Sequence, residues 1–101
     1  YETAFCGKSH TAGAYRDRTW DYYFGYQGQG VYQGPRIAES TTPGQIGPDQ
    51  RHEGWMDDVV TDRAVKWLKG PRTRPFALFV WFKAPHRSWK PAPRHEALYQ
   101  D

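Results

Sequence analysis

A chain of 101 residues with one cysteine, Cys6, can close no internal disulfide and can build no site from several thiolates. Its length suits one domain or a piece of one. The net charge of +3 comes from scattered basic residues partly matched by acids, which describes a solvated mixed surface and not a nucleic-acid interface.

No apolar run approaches the length of a membrane span, and no signal-peptide pattern opens the chain. Hydrophobic residues make up only 38% of the sequence, yet aromatics reach 17%, and 10 Gly and 8 Pro gather towards the middle. This balance predicts a loop-rich architecture whose aromatics pack on further sequence.

Thr3 to Cys6 reads as a short strand ended by Gly7. Residues 11 to 56 are rich in Gly, Tyr and Gln and show no helical period. Within them, Asp21 to Tyr32 could pass for an adhesive low-complexity tract. A long ordered loop with short extended pieces is the stronger reading, because long loops in compact domains are usually functional. Thr61 is placed to cap a helix, with Asp62 in its first turn and Ala64, Val65 and Leu68 as its apolar stripe. Trp67 lies at the edge of that stripe, and Gly70 and Pro71 stop the helix near Lys69.

Residues 76 to 82, Phe-Ala-Leu-Phe-Val-Trp-Phe, carry no charge and no polar alternation, so a strand over 76–83 buried on both faces is expected. Helix and strand together read as half of a βαβ unit. Pro85 ends the strand, since it cannot donate to a ladder. A short helix follows from about Pro93 through Leu98. Both ends of the chain look like cuts through something longer.

Ligands of open α/β sheets bind beyond the carboxyl ends of the strands, and His86 stands at such an end. Before any other consideration, a catalytic and a structural role for His86 weigh about equally. Lys8 and His10, two residues apart, point the same way from the end of an extended strand; His10 alone reads as a surface histidine after a turn. Lys83, Arg87 and Lys90 are close to His86 in sequence. Gly7-Lys8-Ser9 invites comparison with a phosphate-binding loop, but position 2, where that motif needs Gly, is Glu, and the comparison fails. His52 and His95 read as surface residues, and Cys6 as a small buried hydrophobe.

Taken in order, three segments resemble the sulfatase family. Tyr1-Glu-Thr-Ala-Phe-Cys-Gly-Lys-Ser-His10 is similar to the family segment in which an aromatic and Thr-Ala lead to Gly-Lys-Trp-His. Thr61 to Leu68, followed by Arg74-Pro-Phe-Ala-Leu-Phe79, resembles a family helix and strand. Ala84-Pro-His-Arg-Ser-Trp-Lys-Pro-Ala-Pro93 resembles the Pro-His-x-Pro-Trp segment. The resemblance spans nearly the whole chain and is to the bacterial arylsulfatase and N-acetylglucosamine-6-sulfatase type. Ser9 replaces the family's Trp and Ser88 its Pro; these departures bear on packing and substrate fit more than on chemistry.

The resemblance implies an α/β fold, a slice of an alkaline-phosphatase-like mixed sheet flanked by helices with the long Gly/Tyr-rich loop, whose partner is the remainder of a sulfatase domain. It implies hydrolysis of a sulfated carbohydrate or aryl sulfate by the parent protein, which would be periplasmic, secreted or lysosomal. Lys8 would contact sulfate, His10 would be the base of the second step, and His86 would face the leaving oxygen. Arg87, Trp89 and Lys90 would shape the sugar subsite. The family's calcium ion and formylglycine would come from residues outside this chain, since Cys6 lacks the Cys/Ser-x-Pro/Ala-x-Arg context and no acidic cluster has calcium-site spacing. The isolated 101 residues would then be inactive. Rival readings are a phosphonate or phosphodiester hydrolase of the same superfamily and a non-catalytic module binding sulfated glycans.

Overall fold

A computed structural model describes residues 1–10 and 18–99. Residues 11–17 at the start of the Gly/Tyr-rich stretch, and the chain end at Asp101, lie outside the described residues.

Five strands form one mixed sheet. β1 (Glu2–Ser9) runs parallel to β2 (Tyr22–Gln27) on one side and to β5 (Phe76–Trp81) on the other. β3 (Arg36–Ser40) and β4 (Gln50–Arg51) extend the sheet antiparallel beyond β2, giving the order β4-β3-β2-β1-β5. α1 (Met56–Leu68) packs on one face. A single turn of 3-10 helix, Pro93–His95, falls where the sequence predicts a short helix.

The two-residue alternation of a strand sorts the core. Ala4 and Cys6 of β1, with Tyr22, Phe24 and Tyr26 of β2, join Ile37 against Met56, Val60 and Ala64 of the helix. Phe5 and Tyr23 face the other way, where Trp20 and Ala38 complete a second cluster. Cys6 is fully buried, as expected.

Several sequence expectations are corrected. β1 does not end at Gly7 but continues to Ser9, because Gly7 stays in register between Gly25 and Trp81 with φ near 125°. Any Cβ at Gly7 would fall on the Trp81 carbonyl oxygen. Within the stretch read as an ordered loop with short extended pieces, β2 to β4 are extended, and Tyr22 through Tyr26 of β2 are all buried.

The helix begins at Met56, not after Thr61. Met56 and Val60 extend the Ala64 stripe one helical repeat at a time, and Asp57 and Asp58 occupy the first turn where the dipole favours them. Thr61 lies inside the helix and donates to the Asp57 carbonyl at 2.7 Å. β5 stops at Trp81, and its place at the sheet edge leaves Phe76 and Phe79 about 40% exposed among the described residues.

Asp57 ties the helix to the segment leaving β5. Its two carboxylate oxygens accept from the backbone N–H groups of Lys83 at 2.8 Å and Ala84 at 3.0 Å. Tyr32 holds the same segment further on, its hydroxyl donating to the His86 carbonyl at 2.6 Å, while its ring stacks on Trp55.

Two outcomes test these contacts in the full-length protein. Gly7→Ala combines a positive φ with a backbone overlap, so it should cost about 3 kcal/mol or more and lower the unfolding midpoint or the soluble yield. Asp57→Ala leaves two amides without acceptors, a local cost of about 1–3 kcal/mol. Amide exchange at Lys83 and Ala84 should then quicken by about tenfold or more while the midpoint moves little; unchanged exchange would show that the clamp holds nothing.

Candidate active site

Because β1, β2 and β5 are mutually parallel, their carboxyl ends lie at one edge of the sheet, where α/β proteins place their ligands. Lys8, Ser9 and His10 end β1, Gln29 follows β2, and Lys83 to Lys90 follow β5. The backbone joins the first two ends directly, Gly28 N–H donating to the Ser9 carbonyl at 2.9 Å.

Gln29 links the charged groups. Lys8 Nζ donates to its side-chain oxygen at 2.9 Å, and its amide nitrogen lies 3.4 Å from His10 Nδ1. Its backbone carbonyl accepts from Lys83 Nζ at 2.8 Å. Lys83 is buried, with its ammonium 4.7 Å from the centre of the Tyr32 ring. Burial, and then the nearby Lys8 charge, lower its pKa from the ordinary lysine value, while Asp57 acts in the opposite direction.

A pocket of about 500 Å³ opens beside these groups, walled by Gln29, Tyr32, Trp55, Lys83, His86, Arg87 and Lys90. No Asp or Glu is among its lining residues. His86 Nδ1 meets the Arg87 carbonyl. A carbonyl only accepts, so Nδ1 carries the hydrogen and Nε2 is the nitrogen at which His86 can gain or release a proton. The edge can therefore hold an anion through two ammonium groups and exchange a proton beside it.

The sequence-derived candidates are placed as follows. Lys8 and His10 meet through Gln29, and His86, Arg87 and Lys90 line the adjoining pocket. Trp89 is 77% exposed and is not among the pocket walls. Sequence reasoning noted Lys83 only as a neighbour of His86 and missed Gln29, Tyr32 and Asp57 altogether. Gln29 sits between Gly28 and Gly30, both with positive φ, a turn signature that could have drawn attention to it. Ser9 is fully buried with its hydroxyl oxygen lacking a hydrogen-bond partner, and His52 packs edge-on against Phe24 away from the site.

Among the described residues, no group of three or more His, Cys, Asp and Glu is placed to hold a metal ion. Burial, aided by Glu39, pushes the Cys6 thiol up to about 12, which keeps it protonated and unreactive.

Known proteins resemble this chain. The Sulfatase family model matches residues 1–101. An N-acetylglucosamine-6-O-sulfatase of Bacteroides thetaiotaomicron is 32% identical over 106 aligned residues, covering 100% of this chain and 17% of that protein. The structure of BT4656 in complex with its substrate D-glucosamine-2-N,6-O-disulfate superimposes with a TM-score of 0.71 at 32% identity, covering 94% of this chain and 18% of the other. The chain thus spans less than a fifth of the length of each relative. The family model spans the whole sequence and both relatives align along it, so the chain belongs to the sulfatase family.

Proposed function

We propose that the protein containing this chain is a sulfuric ester hydrolase that removes sulfate from a sulfated sugar of the glucosamine type, or from an aryl sulfate. The observation that carries the reading is the gathering of Lys8, His10 and His86 at one sheet edge, in a chain that aligns along its length with an N-acetylglucosamine-6-O-sulfatase.

Lys8 holds the sulfate oxygens, and an ammonium in a site sheltered from water is worth more than one in bulk solvent. His86 serves the leaving group. As the bond from sulfur to the sugar oxygen breaks, that oxygen keeps the electron pair and takes the proton from Nε2. His10 accepts a proton in the later step that releases sulfate. Arg87 and Lys90, on the pocket wall, contact the sugar; Trp89 reaches a sugar only from its exposed position at the rim.

Calcium and a formylglycine belong to this reading as groups supplied from outside the chain. The residues described here do not fit either: they offer no metal-binding cluster, and Cys6 is sealed in the core. The chain's own contribution is charge and proton handling.

Two measurements test the reading. In the full-length protein, His86→Ala should lower turnover of a sugar sulfate by roughly a hundredfold or more. The loss should shrink on nitrophenyl sulfate, whose leaving group needs little protonation. Lys8→Ala should impair both substrates alike, because it touches the sulfate they share. Equal losses for His86→Ala on the two substrates would reject its leaving-group role. Residues 1–101 alone should hydrolyse no nitrophenyl sulfate above background, with or without calcium; turnover by this fragment would mean that it holds its own nucleophile.

A further inference from the structure

The side-chain amide of Gln29 touches both Lys8 and His10, and its chemistry leaves one consistent arrangement. A lysine ammonium only donates, so the amide oxygen must face Lys8 Nζ, at 2.9 Å. The amide nitrogen, which also only donates, is left 3.4 Å from His10 Nδ1. Nδ1 must then accept, and neutral His10 carries its hydrogen on Nε2. Turning the amide over would set its NH₂ against the Lys8 ammonium, donor against donor. His86 is held in the opposite state, with Nδ1–H directed to the Arg87 carbonyl.

We infer that Gln29 is the positioning residue of this site: it fixes Lys8 and His10 relative to each other. The inference rests on the reading of Lys8 and His10 as sulfate-site groups.

The backbone of Gln29 is itself anchored. Gly28 N–H reaches the Ser9 carbonyl at 2.9 Å, and the Gln29 carbonyl accepts from Lys83 at 2.8 Å. Gly30 turns the chain at φ near 65°, where a Cβ would lie 2.6 Å from the Tyr26 ring. The two oxygens of Gln29 thus stand before two ammonium groups close enough for Lys8 to disfavour the charge on Lys83. Gln29 itself is exposed, so its anchoring does not come from burial.

A double-mutant cycle in the full-length protein on nitrophenyl sulfate separates positioning from mere structural support. Gln29→Ala should lower kcat by about ten- to a hundredfold, the range for groups that orient a reacting residue. In a Lys8→Ala background, and again in a His10→Ala background, the further loss should shrink to about twofold. Gln29→Met, which keeps the side-chain bulk without the amide, should behave as Gln29→Ala. Full, additive losses in both backgrounds, or normal activity of Gln29→Met, would overturn the inference while leaving the sulfatase reading in place. An inactive wild-type protein would overturn that reading and the inference with it.

Discussion

The parallel pairing of β1 with β2 on one side and β5 on the other is the constraint from which the site follows. Antiparallel neighbours would send the chain to opposite edges. Here three chain directions agree, and Lys8, Gln29 and Lys83 emerge together. The pairing requires close approach at one point, where Gly7 lies between Gly25 and Trp81 and no side chain can be accommodated. Gly7 therefore does for the sheet what the glycines of a turn do for a loop, in the middle of a strand.

What emerges at that edge is a concentration of positive charge held mostly by neutral oxygens. Lys8 and Lys83 find carbonyl and amide partners, while Asp57, the nearby acid, spends both of its oxygens on backbone amides. Elsewhere the protein pairs its charges: Arg63 with Glu39, Arg72 with Glu2 and Arg94 with Asp58. Ammonium groups held by neutral oxygens among the described residues leave room for an incoming anion to add its charge.

The sequence was most legible where chemistry is carried by residue type. Lys8, His10 and His86 were named through the resemblance of three ordered segments to one family; taken alone, His10 reads as a surface histidine and His86 is evenly balanced. β5 was visible as an apolar run. β2 was foreseen only as one of several short extended pieces, because Gly25 and three tyrosines also suit a loop; tyrosine serves as well in a core when its ring packs and its hydroxyl finds a partner, as Tyr22 does with Glu39. The start of α1 was missed because no capping side chain marks Trp55. Gln29 was invisible for another reason: an amide has no signature in sequence, and its role arises only when three strand ends meet.

That meeting also bears on how the protein reaches its working form. The site draws on the beginning and the end of the chain, and the contact of Arg72 with Glu2 alone spans 70 residues. Local turns and α1 can form early, but β1 and β5 must find each other across most of the sequence. Such high contact order slows folding, because loop closure must precede the contacts that reward it. The share of the site that lies in this chain is thus assembled with that long-range pairing, and until then the aromatic face of β5 is open to other chains.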